Sequence, residues 1–267
     1  MPMIITPAKV ALAVCCLAAT VDAASWQSTV TSSAPPSFPN PRPMHARYGF
    51  GWSGFPGATA DIRLTKPGAD RLQLDLSART IGLVRALWKF DATGTSIVEA
   101  NSLRPFNVRQ LENDRSERRL TELSFSPEGV VSKVTETPGP GPKVHRFDFP
   151  RLFDLQSAVL YLRSQQMQEG NVHRIVVYSA TAPYLATVTV LGRERVTVPA
   201  GRFNAIKFDL QLNRIKDGEL QPHRKFRRAT AWLSDDADRL VLRIEAQVFV
   251  GAVFAELQSV EFENAKG

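Results

Sequence analysis

Cysteine is almost absent from the chain. Its two cysteines, Cys15 and Cys16, lie in a short apolar stretch that follows Lys9. That stretch, with small residues before Ala24, is typical of a cleaved signal peptide and is too short to anchor a protein in a bilayer. We therefore expect removal of residues 1–23, export to the periplasm and no transmembrane segment after cleavage. Without these two cysteines, disulfides, a cysteine nucleophile and thiolate metal sites are excluded.

Closely spaced metal ligands are also missing. The four histidines are scattered singly, without the spacing of a zinc site, and we expect them on the surface. "SDDAD" at 234–238 gathers three carboxylates, but it lacks the central glycine and the distal glutamate of a calcium loop. We interpret it as a hairpin turn. The sequence therefore predicts no metal site and no cofactor.

No complete catalytic motif is found either. In "YGFGWSGFPG", Ser53 follows Gly51 at the spacing of a nucleophile elbow, but Phe55 stands where that motif needs a second glycine. The residues that follow Phe55 have the pattern of a strand instead of a helix. We interpret Ser53 as a decoy and expect no enzymatic activity. A triad assembled from distant residues would leave no such motif, so an envelope-polymer hydrolase stays the weakest alternative.

The remaining chain divides into a spacer and one domain. Residues 24–46 are rich in Ser and Pro and predict a disordered or extended spacer. From 47 to 267, alternating segments such as "RLQLDLS" predict strands of an antiparallel sheet, separated by turns at "SPEG", "VPAG" and "KDGE". The parity of the alternation changes at Gly251, which predicts a bulge or a tight hairpin there.

One segment has helical spacing instead. It carries Leu155, Val159 and Leu162, with Ala158 on the same face, Asp154 as N-cap and Gly170 as stop. "TIGLVRALW" predicts a second, shorter helix. The predicted fold class is mainly β, with a strongly curved antiparallel sheet or incomplete barrel and one amphipathic helix packed against it.

Positive charge exceeds negative charge by seven. In an exported chain this balance favours anionic envelope components, or simply solubility, over nucleic acid. The densest basic run is "HRKFRR" at 223–228. We predict that it contacts an anionic surface, as in peripheral membrane contact, or that it is the solvated face of an edge strand. Its candidate contact residues are Arg224, Lys225, Arg227 and Arg228.

The chain resembles a known family from about Tyr48 to Phe262, and the clearest phrases lie in its second half. The order of "FDLQSAVLYLRSQ", "GRERVTVPAGRFNAIKFDL" and "ATAWLSDDADRLVLRIEAQVFVGAVFAEL" is similar to that of the exported bacterial domain of unknown function 3108. The sequence departs from the family pattern at Val241, where proline is favoured. The residues that carry the resemblance are Asp154, Ser157, Tyr161, Arg163, Gly201, Trp232, Ser234, Asp235, Asp236, Arg243 and Glu256.

The resemblance implies an envelope protein with a β-rich domain, similar in shape to the half-barrels of periplasmic lipoprotein carriers. It implies no reaction. We therefore expect a non-catalytic periplasmic protein that binds or carries a lipid or another amphipathic envelope molecule. The alternative is an interaction or scaffold protein of envelope assembly, with a solid core and an envelope protein as its partner. The candidate ligand-binding residues, which could equally fill the core, are Trp52, Trp88, Tyr161, Arg163 and Trp232.

Overall fold

The computed structural model describes residues 25–35, 41–222, 228–247 and 251–263. The predicted signal peptide lies outside these ranges.

Within them are a 3-10 helix (Trp26–Thr29), α1 (Gly82–Leu87), α2 (Leu155–Ser164) and sixteen strands. None of these helices is long and apolar enough to cross a membrane. The strands are β1 (Met44–Trp52), β2 (Phe55–Gly68), β3 (Arg71–Thr80), β4 (Phe90–Glu99), β5 (Pro105–Asp114), β6 (Glu117–Phe125), β7 (Gly129–Thr137), β8 (Lys143–Asp148), β9 (Leu152–Phe153), β10 (Val172–Ser179), β11 (Ala182–Val198), β12 (Gly201–Lys216), β13 (Glu219–Pro222), β14 (Arg228–Ser234), β15 (Val241–Gln247) and β16 (Ala252–Phe262).

All of these strands belong to one sheet. Its order is β8-β7-β6-β5-β4-β3-β2-β1-β16-β15-β14-β12-β11-β10-β9, and β13 pairs with β12 beside this path. Neighbours are antiparallel except β9 and β10, which are parallel. In the described part of the chain the edge strands β8 and β9 are not paired with each other, so the sheet is an incomplete barrel. The predicted curved antiparallel sheet is confirmed.

Side chains close the gap between the two sheet edges. The ring of Phe147 on β8 stacks on Tyr178 of β10, with centroids 6.3 Å apart. The hydroxyl of Ser132 on β7 donates to the carbonyl of Ala180, which follows β10. An apolar cluster thereby joins β5–β7 to β9–β12. Its buried members are Val30, Val108, Leu123, Val130, Leu152, Val176, Tyr178, Leu185 and Ile215.

The segment 25–35 lies along this gap. Trp26 stacks on Phe149 at 5.5 Å between ring centroids, and Val30 is buried in the closing cluster. The Thr31 amide donates to the Arg174 carbonyl at 2.9 Å, and the Arg174 amide donates to the Thr31 hydroxyl at 2.8 Å. These bonds continue the edge of β10 beyond its pairing with β9. The segment therefore covers backbone groups that an edge strand would leave unpaired.

This arrangement differs from the disordered or extended spacer predicted over 24–46. The described part of that range packs on the sheet, and β1 begins inside it at Met44. The physical reason is that two apolar side chains, Trp26 and Val30, are enough to attach the segment when an apolar gap is available. Two residues are too few to produce a periodic pattern in the sequence.

Helix α2 begins at its predicted N-cap. The Asp154 Oδ1 accepts bonds from the amides of Gln156 (2.8 Å) and Ser157 (3.4 Å), and the Ser157 hydroxyl accepts from the Asp154 amide at 3.0 Å. This reciprocal pair is a capping box. The other carboxylate oxygen accepts from the hydroxyl of Ser96 on β4 at 2.9 Å. One buried carboxylate therefore starts the helix and attaches it to the sheet.

Helix α2 ends at Ser164, earlier than the predicted stop at Gly170. The Ser164 hydroxyl donates to the carbonyl three residues earlier, and the guanidinium of Arg239 donates to the carbonyls of Arg163 and Gln165. Side chains thereby satisfy carbonyls at the end of the helix, where no further turn supplies backbone donors. The predicted length was wrong because one of these donors, Arg239, lies far away in the chain, where the local pattern gives no sign of it.

The buried side of α2 matches the predicted stripe only in part: Ala158 is buried and Leu162 packs against the core. Leu155 is 69% exposed, and Val159 and Leu162 are half-buried. The reason is that α2 has sheet on two sides. Leu160 joins a core cluster with residues of β1–β4, whereas Tyr161 packs on β9 and β10. The helix therefore fills the concave side at this level and buries polar as well as apolar residues. These buried residues are Ser157, Ala158, Leu160, Tyr161, Arg163 and Ser164.

The predicted turns are confirmed, as is the shorter helix, which is α1. Two-residue turns at 199–200 and 217–218 join β11 to β12 and β12 to β13. Asp217 and Gly218 both have positive φ, 52° and 80°, as a type I′ hairpin turn requires. The turn at 126–128 joins β6 to β7, and Gly251, with φ 76°, precedes β16.

Replacing the N-cap should weaken the fold measurably. In Asp154→Ala the cap is lost and the buried Ser96 hydroxyl loses its acceptor, so we expect the free energy of unfolding to fall by about 2–4 kcal/mol. Urea unfolding measures this change. Asp70→Ala, which removes an exposed carboxylate, is the control and should change stability by less than about 0.5 kcal/mol. Equal stabilities of the two variants would contradict this role of Asp154.

The segment 25–35 should contribute to stability as well. The double variant Trp26→Ala, Val30→Ala removes the ring stack and the buried methyl groups, and we expect a loss of about 2–3 kcal/mol in urea unfolding. Ser32→Ala, at an exposed position of the same segment, is the matched control. An unchanged unfolding midpoint in the double variant would support the spacer that the sequence predicted.

Candidate functional site

The five candidate ligand-binding residues do not form one site. Trp52 and Trp88 are 48% and 42% exposed and lie at one end of the sheet. Tyr161, Arg163 and Trp232 are buried in the interior, and their contacts hold the framework together. For example, the Tyr161 hydroxyl donates to the carbonyl of Ser33 at 2.7 Å, which attaches the N-terminal segment to α2.

Trp232 belongs to the largest core cluster. Its indole N–H donates to the Glu194 carboxylate at 2.6 Å, and Lys207 lies 3.3 Å from the same carboxylate. The hydrogen bond from Trp232, aided by the Lys207 charge, holds the pKa of Glu194 below its usual value. This pairing satisfies the indole nitrogen of a buried tryptophan, so the residue is accounted for by packing.

Arg163 joins α2 to the turn between β14 and β15. Its guanidinium donates to the carbonyl of Asp238, with Nε at 3.1 Å. Burial lowers the pKa of Arg163 from its ordinary value. The neighbouring Tyr48 donates its hydroxyl to the Val241 carbonyl at 3.0 Å, and burial raises the pKa of Tyr48 to about 12. Several residues that carried the family resemblance therefore support the core.

The "SDDAD" segment is the hairpin turn that the sequence predicts. Asp236 Oδ1 accepts bonds from the Ser234 hydroxyl (2.8 Å) and from the amides of Asp238 and Arg239 (3.0 Å each). Asp235 and Asp238 instead pair with two different arginines. The three carboxylates therefore have separate partners. No group of three or more His, Cys, Asp or Glu side chains is placed to hold a metal ion in the ranges that the structure covers.

The histidines differ from one another in environment. The His45 ring lies 2.9 Å from the Asp61 carboxylate at a partly exposed position. His173, expected on the surface, is only 7% exposed, so that expectation was wrong. Its Nε2 lies 2.8 Å from the Gln166 carbonyl, and burial lowers its pKa. His173 sits on β10 behind the residues that follow α2, which is why it is covered.

The predicted basic contact residues fall mostly outside the described ranges. Arg224, Lys225 and Arg227 lie there, and Arg228 is the first residue of β14. The Arg228 guanidinium pairs with Asp209, and this contact raises its pKa. An anionic-surface role for the run therefore stays a prediction.

Ser53 lies in a two-residue hairpin turn between β1 and β2. Ser53 and Gly54 have φ of 47° and 88°, which is the geometry of a type I′ turn. The turn leads into a strand, whereas a nucleophile elbow leads into a helix. Gly51 has the close-packing role that the sequence suggested, because a Cβ there would lie 2.4 Å from Phe254 Cζ. The serine is therefore a turn residue.

Large apolar side chains are exposed at this same end of the sheet. Trp52 is opposite Phe55 on β2 and opposite Val253 on β16. The β1–β2 hairpin therefore ends level with the start of β16. α1 follows β3 at this end, since Thr80 of β3 is opposite Ala58 near the start of β2. The exposed fractions run from 37% for Val253 to 77% for Leu83. We call this set the apolar rim: Phe50, Trp52, Phe55, Leu83, Leu87, Trp88 and Val253.

Helix α1 turns its apolar side to solvent. Leu83 and Leu87, one helical turn apart, are 77% and 72% exposed. On the protein side, Val84 lies against the backbone at Gly57, and Arg85 forms a two-pronged ion pair with Asp91 at 3.0 and 3.1 Å. A surface helix ordinarily buries its apolar face. The reversed orientation, together with the neighbouring aromatic residues, is typical of a surface that contacts a ligand or partner.

Positive side chains border the apolar rim. Lys89 and Arg115 are adjacent, because the Arg115 amide donates to the Lys89 carbonyl at 3.0 Å, and Arg118 follows in β6. All three are exposed, and none takes part in an ion pair within the described ranges. Of the nearby carboxylates, Asp91 binds Arg85, whereas Asp114 accepts from the neutral Trp88 indole at 2.6 Å and Glu117 has no ion pair in the described ranges. Three cations therefore lie near two carboxylates that have no basic partner, which leaves the border with a small excess of positive charge.

A cavity of about 280 Å³ lies beside the rim, between β4 and β7. Arg119 crosses it to pair with Glu136 at 2.9 Å. A charged lining suits water better than a hydrocarbon chain. The charged residues that line the cavity are Glu112, Asp114, Glu117, Arg118, Arg119 and Glu136.

The apolar rim was only partly found from the sequence. Trp52 and Trp88 were named as candidates, but the remaining members were not. A signal was present in Phe50, Trp52 and Phe55, which flank a two-residue turn, since hairpin ends are ordinarily polar. The exposure of Leu83 and Leu87 had no such signal, because their spacing is equally that of a buried helix face.

Tyr48→Phe should reduce the sensitivity of the fold to alkaline pH. Tyrosine ionises near pH 10 when unfolded, whereas the folded pKa of Tyr48 is raised to about 12 by burial. The stability that its neutral hydroxyl contributes is therefore complete below about pH 10 and lost as the pH rises through 12. Between these pH values, the wild type should lose about 2–3 kcal/mol more than the variant in urea unfolding. Parallel losses in both proteins would contradict the raised pKa.

Comparison with solved structures supports the fold. A beta-barrel-like protein of domain of unknown function DUF1849 from Brucella abortus superimposes with a TM-score of 0.57 at 11% identity, covering 84% of this chain and 99% of that one. Two further structures are more distant: a protein described as exported, with a YmcC-like fold, from Bacteroides fragilis, and a protein described as a lipoprotein from Parabacteroides distasonis. Their TM-scores are 0.38 and 0.34 at 8% identity, over 84% and 86% of this chain and 98% and 100% of theirs.

Sequence comparison gives the family. No curated protein matches the chain. The model of the family described as "protein of unknown function (DUF3108)" matches residues 45–258, which span most of the chain. The resemblance predicted over about 48–262 is thereby confirmed with nearly the same bounds. The chain belongs to the DUF3108 family.

Proposed function

We propose that the protein is a non-catalytic, periplasmic protein of the cell envelope that binds a lipid or another amphipathic envelope molecule at its apolar rim. The observation that carries this proposal is the exposure of seven large apolar side chains at one end of the sheet. The signal-like sequence of residues 1–23 supports the location. The turn geometry at Ser53 supports a non-catalytic role, because it lacks the exposed nucleophile of a hydrolase.

The rim is a better binding surface than the concave side of the sheet. Helix α2 and its surrounding clusters fill the concave side at the level of Leu160 and Tyr161. The cavity beside the rim has a charged lining. The sequence hypothesis of a ligand enclosed by the sheet is therefore replaced by binding at the end of the sheet.

The size of the rim is adequate for binding. Covering a fully exposed Leu or Phe side chain contributes roughly 1.5–3 kcal/mol, and the most exposed members are Leu83, Leu87 and Phe55. Association of two molecules costs on the order of 4–15 kcal/mol in lost freedom of motion. Several rim residues covered together can offset that cost, whereas one alone cannot. This favours a ligand large enough to cover the β1–β2 hairpin, the start of β16 and α1.

A scaffold protein of envelope assembly is the second candidate. The observation that favours it is the filled concave side, since a solid-cored domain has no need to enclose a cargo. In that case the apolar rim would contact a partner protein. The two functions differ in whether the purified protein carries a small amphipathic molecule.

Lipid extraction with mass spectrometry tests the proposal. We expect the protein, purified from periplasm without detergent, to carry an amphipathic molecule in stoichiometric amount. The double variant Leu83→Ser, Leu87→Ser should lose most of it, because both side chains belong to the rim. The variant should keep its unfolding midpoint, since neither side chain is buried. Leu155→Ser, equally exposed but distant from the rim, is the matched control and should retain the molecule.

Two outcomes of this experiment count against the proposal. An empty extract, with no uptake of added lipid, would favour the scaffold function. Equal loading of the wild type and the rim variant would place the bound molecule elsewhere on the protein.

A further inference from the structure

We propose that the apolar rim is a membrane-docking surface, which inserts α1 and the β1–β2 hairpin among the headgroups of an anionic bilayer. This inference rests on the proposed function, since it uses the same surface. It goes further by naming the occupant as an intact bilayer surface instead of a single extracted molecule. The argument depends on the shape of the rim, on its mixture of side chains and on the charge at its border.

The apolar groups lie on projecting ends of the sheet. The β1–β2 turn and the start of β16 are linked by a bond from the Ser53 amide to the Ala252 carbonyl at 2.8 Å. α1 is anchored next to them, where the Ile81 amide donates to the Gly57 carbonyl at 2.9 Å. Two separate segments therefore present apolar side chains side by side from a rigid base. A flat interface such as a bilayer can contact both at once.

The mixture of side chains suits the headgroup region of a membrane. Leu83 and Leu87 are fully apolar, whereas Trp52 and Trp88 have one polar edge. Tryptophan is enriched at membrane interfaces because its large apolar ring ends in one polar edge. In Trp88 the N–H on that edge already donates to Asp114, so the ring itself would supply the contact with the membrane. Amphipathic elements of this kind insert their apolar side by roughly 5–10 Å. The protein side of α1, where Val84 packs and Arg85 pairs with Asp91, would stay above this level.

The charge at the border decides which bilayer fits. Lys89, Arg115 and Arg118 are exposed cations without ion-pair partners in the described part of the chain, and they outnumber Asp114 and Glu117, the nearby carboxylates that have no basic partner there. Each Lys or Arg near an anionic membrane surface strengthens binding by about fivefold. An apolar element alone gives only marginal membrane binding, and a second, electrostatic signal makes the attachment stable. The combination therefore points to acidic phospholipid.

Flotation with vesicles tests this inference. The full-length mature protein is mixed with vesicles of phosphatidylethanolamine and phosphatidylglycerol, or with vesicles of phosphatidylcholine alone. We expect binding to the anionic vesicles, weaker binding to the neutral ones, and loss of binding as salt is raised. The variant Leu83→Ser, Leu87→Ser should bind at least about tenfold more weakly. The matched control is Leu155→Ser, Phe106→Ser, whose exposed residues lie away from the rim, and it should bind like the wild type.

A second pair of variants separates charge from apolar contact. Lys89→Gln, Arg115→Gln should weaken binding to anionic vesicles by roughly 25-fold and leave binding to neutral vesicles unchanged. Arg195→Gln, Arg202→Gln removes two exposed cations from the β11–β12 hairpin, at the opposite end of the sheet, and should have little effect. Equal losses in both pairs would show that net charge alone matters and would overturn the inference.

Fluorescence quenching gives a second readout of insertion, which is independent of flotation. Phospholipid brominated along its acyl chains should quench the emission of the wild type, and replacing both exposed rim tryptophans, Trp52→Phe with Trp88→Phe, should abolish that quenching. The remaining tryptophans, Trp26 and Trp232, are half-buried and buried. Quenching that persists in this variant would contradict insertion of the rim.

The outcomes distinguish this inference from the proposed function. A protein that carries an extractable lipid at the rim but does not float with vesicles would overturn membrane docking and leave the proposed function standing. A protein that does neither would overturn both. Flotation that depends on Leu83 and Leu87, and on Lys89 and Arg115, would support both.

Discussion

The contact on which the rest of the structure depends is that between helix α2 and the two halves of the sheet. A single sheet of this length would expose a continuous apolar concave side unless another element covered it. α2 covers it on two sides, with Leu160 against the first half and Tyr161 against the second. Asp154 and Arg163 attach its ends to β4 and to the β14–β15 turn. The buried Asp154 carboxylate and Arg163 guanidinium both have partners, without which their burial would be unfavourable.

Filling the concave side determines where the molecule can act. A domain without disulfides depends on its packed core, and here that core includes the gap between the sheet edges and the segment 25–35. Those regions are covered by the protein itself. The ends of the strands lie beyond the reach of α2, so they can expose apolar side chains without opening the core. Loops and hairpin ends on a rigid framework are the usual places for binding.

The apolar rim follows from this arrangement together with the orientation of α1. Helix α1 has only six residues, which is too short to bury an apolar face by itself. It is held in place by Arg85 and by its contact with the start of β2. Those contacts use the Ile81 amide, Val84 and Arg85, and they leave Leu83 and Leu87 outside. The unpaired cations next to them add a preference for negative charge.

The sequence by itself determined the features that depend on neighbouring residues. Alternation predicted the strands, Pro and Gly predicted the turns, and Asp154 predicted the start of α2, because each follows from local backbone and side-chain chemistry. The tertiary structure alone decided which side of α2 is buried, where Arg239 ends that helix, and whether Trp26 packs. The exposure of Leu83 was likewise decided only by the tertiary structure. Those outcomes depend on contacts between residues far apart in the chain, and the same local pattern is compatible with burial or with exposure until the surrounding elements are in place.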